Sequence, residues 1–326
     1  MGKGKSTVMD AIGGYFELEL RNGEHYHKAA LRLNTVRNCF EYILLARKYT
    51  KVYIPYYTCG VMLQPLHRHH IAYEFYHINE NLEPEEVIQL RNDEAFLYTN
   101  YFGLKQSCVE SLASIYKKQL IVDNAQAFFA PRIDGIDTFY SPRKFVGVPD
   151  GGYLYTDAII EHDFPMDQSY DRMFHLLLRI EEGAEKGYSF FRKADDSLND
   201  LPIRKMSVLT DRILRNIDYE SIKRQRRKNF ETLQKKLCSS NRYSWKLSDD
   251  TVPMVYPYYT TDKSLRNHLI TNKVFVATYW PNVLEWCSLD FIEYKLTENI
   301  IPVPIDQRYG IKEMNKIVEI IKIVQQ

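Results

Sequence analysis

Between residues 40 and 155, short β-rich runs alternate with stretches whose apolar residues recur at helical spacing. This rhythm constrains the fold more than any other feature, because strands that alternate with helices form βαβ units and a mostly parallel sheet. We therefore predict an α/β fold in which helices flank a mostly parallel sheet. The predicted strands are 51–54, 71–76, 95–98 and 119–122, and the predicted helices begin near Phe40, after Thr58 and near Val109.

The second half of the chain has a different pattern, in which the βαβ rhythm does not continue. Long amphipathic helices come first, and a final block from about residue 240 mixes strand-like and helical segments. The terminal helix carries Met314, Ile317 and Ile321 on one face, which is typical of a helix packed on a core. We predict a large domain over 1–239 and a small α+β domain over 240–326. The predicted elements are helices at 173–180, 218–237 and 264–271 and β-rich runs at 252–259 and 273–280.

Charge and cysteine content exclude several classes of protein. Lys and Arg number 43 against 42 Asp and Glu, so no overall field favours nucleic acid or an anionic membrane. The five cysteines form no CxxC pair, which argues against a disulfide framework or a zinc site. No apolar run approaches the ~20 residues of a membrane helix, and residues 1–14 lack the apolar stretch of a signal peptide. We expect a cytoplasmic protein with no nucleic-acid or membrane partner and no metal.

Three motifs that suggest binding sites are interpreted as surface features. GKGKST at 2–7 resembles the end of a phosphate-binding loop, but that loop requires a preceding strand, which is missing here. The run His67-Arg68-His69-His70 is expected at a solvated helix end, because neighbouring residues cannot all aim at one metal ion. The basic run RQRRKNF at 224–230 is expected on the exposed face of a helix.

The stretch 121–157 carries the residues that indicate chemistry. Asp123 ends a predicted strand, where polar residues of open α/β sheets face the ligand crevice. Gln126 follows it, and Lys144 lies in a Ser-Pro-Arg-Lys turn before two glycines. These are the parts of a pyridoxal phosphate site: an amine that bonds the cofactor and moves a proton, a carboxylate for the ring nitrogen, and backbone without side chains. On spacing alone, an ordinary set of surface turns stays an open alternative.

Several sequence blocks, in the same order, resemble the DegT/DnrJ/StrS family of sugar aminotransferases, which belong to the fold-type I pyridoxal phosphate enzymes. VDNAQA at 122–127 is similar to the family's Glu-Asp-x-x-Gln-Ala signature, with Asp123 and Gln126 on the matching positions. The resemblance therefore implies fold type I. The other similar blocks are IGGYFELEL at 12–20 (opening strand), LNTVRNCFEYIL at 33–44 (phosphate-side loop and first helix), YIPYYTCGVMLQPL at 53–66 (Pro-Thr segment) and PIDQRYG at 304–310 (near the C-terminus).

The resemblance also implies roles for individual residues. Lys144 is implied as the lysine that bonds pyridoxal 5′-phosphate, and Asp123 as the partner of the pyridine nitrogen. Gln126 is implied to lie near the ring hydroxyl of the cofactor. The remaining implied cofactor contacts are Asn34, Thr35 and Arg37 in the phosphate loop, Ser141 ahead of the lysine, and Asn100 and Tyr101 after a strand.

The activity that the resemblance implies is transfer of an amino group from an amino acid such as glutamate to a keto sugar, with the sugar linked to a nucleotide. The protein is expected to act as a homodimer. Two alternatives stay open: a different pyridoxal phosphate reaction, such as dehydration or elimination, and a catalytically silent binding module. Lys144 argues against the related dehydratases, which have histidine in place of this lysine.

The chain departs from the family pattern at three places. The phosphate loop reads Asn34-Thr35-Val36, where family members have a glycine-containing turn. Cys59 stands where an aromatic residue stacks on the cofactor ring, and Tyr56 or Tyr57 is the candidate replacement. The family's Asn-Tyr-Arg signature has no clean match, and the nearest region is 198–207.

Overall fold

The computed structural model describes residues 12–324, and the basic start of the chain with its GKGKST motif lies outside them. The described elements follow the predicted rhythm of strand and helix as far as residue 155. The strands are β1 (Leu31–Leu33), β2 (Lys51–Pro55), β3 (Ala72–Tyr76), β4 (Glu94–Thr99), β5 (Leu120–Asn124), β6 (Asp137–Tyr140), β7 (Gly152–Tyr155), β8 (Val255–Tyr259) and β9 (Ile300–Pro304). The helices are α1 (Val36–Arg47), α2 (Leu63–Arg68), α3 (Gln106–Tyr116), α4 (Phe174–Glu181), α5 (Ala184–Asp196), α6 (Val208–Leu214), α7 (Tyr219–Leu237), α8 (Ser264–Thr271), α9 (Val283–Trp286), α10 (Ile292–Asn299) and α11 (Ile311–Val324).

A seven-stranded sheet organises the first part of the chain, in the order β1-β7-β6-β5-β4-β2-β3. Strands β2 to β6 run parallel to one another, and β7 runs antiparallel to both of its neighbours, β1 and β6. Every residue of β4 and β5 is buried, which explains their nearly continuous apolar sequence, since parallel strands are covered on both faces. The predicted α/β architecture with a mostly parallel sheet is confirmed.

The two faces of the sheet bury separate hydrophobic clusters. Phe96 and Tyr98 pack on one face with the larger cluster, whereas Leu97, between them in β4, packs on the other face with α1 residues such as Phe40. This alternation follows from the period of two along a strand. The sheet is therefore held rigidly on both sides, so the residues that follow its strands have fixed positions.

A second, two-stranded antiparallel sheet pairs β8 with β9 near the C-terminus. Its buried face packs with α8 and α11, and also with Phe230 and Leu233 of α7, in a third hydrophobic cluster. The strand predicted within 252–259 and the helix predicted at 264–271 are confirmed by β8 and α8. The boundary between residues 239 and 240 stays a prediction.

Three expectations are corrected by the structure. Residues 12–20 form no strand, since Tyr15 and Phe16 are solvent-exposed and no described segment pairs with this backbone. The β-rich run 273–280 also forms no strand, and its residues Phe275 and 277–280 instead line a cavity. In the basic run 224–230, Arg226 is only 2% exposed, so this helix does not present all of its basic residues to solvent.

No helix within residues 12–324 is long and apolar enough to cross a membrane.

Candidate active site

A cavity of about 550 Å³ opens at the carboxyl ends of the parallel strands. Thr99 ends β4, Asp123 lies near the end of β5 and Ser141 follows β6, and all three line the cavity. The N-terminus of α1 lies on the same wall, and residues 275–280 with Pro302 and Pro304 close it from the C-terminal part. This edge of an open α/β sheet is where ligands bind, and the volume suits a small-molecule ligand.

Lys144 reaches this cavity from a short 3₁₀ turn, Pro142–Lys144, directly after β6. Pro142 begins the turn, since its fixed φ suits the first helical position. The Lys144 ammonium lies 5.5 Å from the centre of the Tyr279 ring. Within the described residues it makes no hydrogen bond or ion pair, so its amine is available to a ligand in the cavity.

Asp123 presents a buried carboxyl group to the same cavity. Only 6% of the residue is exposed, and its Oδ1 accepts a hydrogen bond of 2.8 Å from the Ala125 backbone N–H. Burial raises the pKa of Asp123, because a carboxylate is disfavoured away from water, while the Ala125 N–H and the positive charge of Lys144 lower the pKa in part. The charge of Lys144 therefore acts on Asp123 within the same cavity.

Gln126 carries a buried hydrogen-bond donor without a partner. Its Oε1 accepts a hydrogen bond of 2.7 Å from the Phe102 N–H, and this contact fixes the orientation of the amide because an N–H only donates. The remaining Nε2 is buried and has no partner within the described part of the chain, and Gln126 lines the cavity. An unsatisfied buried donor costs free energy unless a ligand accepts from it, so this position suits an acceptor oxygen of a ligand.

The loop ahead of α1 is built as an N-terminal cap. Thr35 accepts a hydrogen bond of 3.1 Å from the Asn38 N–H through its Oγ1, and the same hydroxyl donates to Asn38 Oδ1 at 2.6 Å. Because the first N–H groups of a helix have no intrahelical acceptor, the amides of Val36 and Arg37 are available to an anion. Thr35, Val36 and Arg37 all line the cavity.

Two glycines bring β7 against this loop. A Cβ on Gly152 would lie 2.8 Å from the Thr35 carbonyl and 2.8 Å from Cys39 Sγ, which is too close for any side chain. Gly151 has φ of +113° and donates its N–H to the Asn34 carbonyl at 2.6 Å. Gly152 is therefore required by the packing of β7 on the Thr35 loop, while Gly151 lines the cavity, and the predicted close approach of these glycines to the cofactor stays a prediction.

Three of the predicted contact residues do not line the cavity. Asn34, Asn100 and Tyr101 are completely buried, and their polar groups are used within the protein. Asn34 bonds the backbone of Pro202 and Arg204, Asn100 bonds the turn that starts α3, and Tyr101 donates to the Tyr57 carbonyl at 3.0 Å. The structure brings together the other six, Lys144, Asp123, Gln126, Thr35, Arg37 and Ser141.

The aromatic surface of the cavity comes from an unexpected part of the chain. Cys59 lines the wall, whereas Tyr57 is fully buried and Tyr56 stacks on Phe75 and His77 with ring centres 4.6 and 4.7 Å apart. Neither tyrosine is free to stack on a ligand. The cavity instead has Tyr279 and Trp280 from the run predicted to be a strand.

Four charged residues of the cavity were not predicted as site residues: Arg143, Asp195, Arg226 and Asp306. Arg143 pairs with Asp195 of α5 at 2.9 Å. Arg226 donates to the Met254 carbonyl at 2.8 Å and lies 4.6 Å from the Phe145 ring centre, and burial lowers its pKa to about 10, with Asp306 opposing the shift. Arg143 adjoins Lys144 in sequence, Arg226 lies in the basic run 224–230 and Asp306 lies in the block 304–310, whereas Asp195 has no local signal.

Residues 12–324 contain no cluster of three or more His, Cys, Asp or Glu side chains that could hold a metal ion.

Comparisons with known proteins identify the fold. No protein-family model matches the sequence, and no curated protein matches it at a significant level. Among solved structures, a DegT DnrJ EryC1 StrS aminotransferase of Brucella abortus is similar over 90% of this chain and 85% of that chain, at 12% identity and a TM-score of 0.60. A sugar aminotransferase of Micromonospora echinospora is similar over 90% of this chain and 86% of that chain, at 12% identity and a TM-score of 0.57.

A third solved structure, NtdA of Bacillus subtilis with bound cofactor PMP, is similar over 91% of this chain and 73% of that chain, at 15% identity and a TM-score of 0.62. At such identities the likeness shows the fold. The chain therefore has the fold of the pyridoxal phosphate-dependent aminotransferases of fold type I, and the predicted resemblance is confirmed at the level of fold.

Proposed function

We propose that this protein is a pyridoxal phosphate-dependent aminotransferase that moves an amino group from an amino acid, with glutamate as the donor, to a nucleotide-linked keto sugar. The observation that carries the proposal is that one cavity is lined by both the amine of Lys144, which has no hydrogen-bond or ion-pair partner among residues 12–324, and the buried carboxyl group of Asp123. The cavity lies at the carboxyl ends of the parallel strands, in a fold shared with sugar aminotransferases, and this position supports the same conclusion.

The residues present fit pyridoxal phosphate. The buried Nε2 of Gln126 has no acceptor among the described residues, and the ring hydroxyl oxygen of the cofactor is an acceptor of the right kind. Asp123 is an anionic partner for a protonated ring nitrogen, and the cap of α1 at Thr35 offers backbone amides to a phosphate. A nucleophilic amine, a carboxylate, a neutral donor and an anion site are thus on one wall.

Each residue has a defined task in the proposed reaction. When bound, the cofactor supplies an electron sink for the carbon that loses its proton. Lys144 holds the cofactor and, once the amino donor has displaced its amine, accepts and returns a proton at Nζ. Asp123 keeps the ring nitrogen protonated through both half-reactions. Tyr279 and Trp280 line the site, and the centre of the Tyr279 ring lies 5.5 Å from the Lys144 amine.

One observation favours the second candidate, a catalytically silent protein that keeps the fold as a binding module. Cys59 lines the cavity at the position expected for a stacking aromatic residue, and Tyr56 and Tyr57 do not replace it. A homodimer, a cytoplasmic location and the eliminating or dehydrating alternatives stay predictions.

The proposal is tested by the absorption spectrum of the protein with pyridoxal phosphate. We expect a visible band that Lys144→Ala abolishes and that glutamate converts to the shorter-wavelength band of the pyridoxamine form. Persistence of the band in the presence of glutamate, with elimination products, would indicate a different reaction of the same cofactor. A protein that remains colourless with added cofactor would support the silent binding module.

A further inference from the structure

Two arginine side chains, Arg37 and Arg143, line the cavity together near the cap of α1. Arg37 lies in the first turn of α1, and Arg143 lies in the turn that carries Lys144. Asp195, which pairs with Arg143 at 2.9 Å, also lies close enough for its charge to act on Arg37, as does the charge of Arg143 itself. Two guanidinium groups that share one nearby carboxylate suit an anionic ligand group.

The partners of these two guanidinium groups leave much of their capacity unused. Arg37 donates through Nη1 to Gln64 Oε1 and Asn199 Oδ1, both at 2.7 Å, and both acceptors are neutral amides. Arg143 donates through Nη2 to Asp195 Oδ1 at 2.9 Å, while its Nε is buried and has no partner in the described part of the chain. Both arginines therefore retain N–H donors that can bind a ligand.

We infer that Arg37 and Arg143 hold the phosphate group of the cofactor, with Asp195 as the counterion of Arg143 that the phosphate replaces. The inference rests on the proposed function. It assigns the cationic part of the phosphate site to this chain's own residues, and it adds their guanidinium groups to the backbone amides of Val36 and Arg37. Planar guanidinium groups bind phosphate through paired hydrogen bonds, which a lone helix N-terminus does not provide.

Replacement of Asp195 is expected to have the opposite effect on phosphate binding from replacement of either arginine. The Asp195 side chain is 53% exposed and lies on α5, outside the sheet, so its replacement by Asn costs little structure. If Asp195 competes with the phosphate for Arg143, removal of its charge strengthens phosphate binding. A role for this ion pair that is only structural predicts no such gain.

The test compares binding of pyridoxal phosphate with binding of pyridoxal, which has the same ring and aldehyde but no phosphate. We expect Arg37→Met and Arg143→Met each to lower the preference for pyridoxal phosphate by about tenfold or more, the loss expected for a hydrogen bond to a charged group. Affinity for pyridoxal stays close to that of the native protein. Asp195→Asn is expected to raise the preference for pyridoxal phosphate. The control is Arg192→Met, because Arg192 is an exposed residue of α5 outside the cavity wall, and this variant should keep the native preference.

The readout is the visible band titrated with each compound, together with the thermal unfolding temperature of each variant. Loss of phosphate preference in both arginine variants, at normal unfolding temperature, supports the inference. A native protein that prefers pyridoxal phosphate, with arginine variants that retain this preference, would overturn the inference and leave the proposed function standing. A native protein that forms the band with neither compound would overturn the proposed function itself, and the phosphate assignment with it.

Discussion

Lys144 and Asp123 face one cavity from two adjacent strand ends without forming an ion pair with each other. Burial raises the pKa of Asp123, and the charge of Lys144 opposes this shift without cancelling it. A direct ion pair would satisfy both groups and close the space between them. Their separation keeps an amine and a carboxyl group available to one ligand in the same cavity, which is what the proposed reaction needs.

The first prediction concerns the charge of Asp123. Asp123→Asn retains an oxygen for the Ala125 N–H but cannot keep the ring nitrogen protonated. We expect the rate of the glutamate half-reaction to fall by about 100-fold or more, the usual effect of losing a preorganised charge in an active site. The measurement is the single-turnover conversion of the visible band. Asp134→Asn removes an exposed charge outside the cavity wall and is expected to keep the native rate, so equal losses in the two variants would contradict the assigned role.

A second prediction concerns stability. Because burial raises the pKa of Asp123 in the folded protein, the folded state binds more protons than the unfolded state between the ordinary and the raised pKa values, and stability falls as pH rises through that window. In cofactor-free protein, Asp123→Asn is therefore expected to raise the free energy of unfolding at pH 7. The gain shrinks as pH falls towards about 4, the ordinary pKa of Asp. Urea unfolding at several pH values measures this gain in the free energy of unfolding. An Asp123→Asn variant that is less stable than the native protein at pH 7 would contradict the prediction.

The two atoms of the Gln126 amide have separable tasks. Gln126→Met leaves the buried Phe102 N–H without an acceptor, so we expect a loss of about 1–3 kcal/mol in the free energy of unfolding and weaker cofactor binding. Gln126→Glu restores an acceptor but not the Nε2 donor. It should therefore be more stable than the Met variant and still bind the cofactor weakly. Native-like cofactor affinity in the Glu variant would show that Nε2 does not meet the ring hydroxyl.

Gly152 provides a test of how the phosphate loop is held. Gly152→Ala places a Cβ 2.8 Å from the backbone of Thr35, so either β7 or the loop has to shift. We expect this variant to lose about 1–3 kcal/mol of stability, typical of overpacking, and to lose affinity for the cofactor. Gly147→Ala is the matched control, because its Cβ would make one ordinary contact at 3.4 Å with Leu176. The free energy of unfolding of both variants is measured with denaturant. If Gly152→Ala is as stable as Gly147→Ala, the approach of β7 to Thr35 is not tight.

Much of the fold could be predicted from local sequence. Strands β4 and β5 are buried on both faces and carry apolar runs, so both strands could be predicted from the sequence. Asp123 lies near the end of β5, so its place at the ligand-binding end of the sheet could be predicted as well. The run 273–280 has the residues of a strand but forms none. A strand depends on a partner, and the pairing of β8 with β9 is a property of the whole fold.

The candidate site was predictable where its residues are close in sequence and not where they are distant. Asp123, Gln126 and Lys144 lie within one stretch of the chain. Asp195 and Tyr279 reach the cavity from α5 and from the C-terminal part, which no local pattern indicates. Asn34 and Asn100 were expected at the site because they follow the right elements, but their side chains serve the hydrogen bonding of neighbouring loops instead.

The central claim is that the amine of Lys144 bonds the cofactor, and covalent trapping tests it most directly. The protein is mixed with pyridoxal phosphate, reduced with borohydride and digested, and the position of the added mass is read by mass spectrometry. Lys118→Ala, at an exposed lysine outside the cavity, is the control and should leave the result unchanged. The account predicts one predominant adduct on Lys144. Absence of an adduct there, or adducts spread over exposed lysines with Lys144 unmodified, would contradict it.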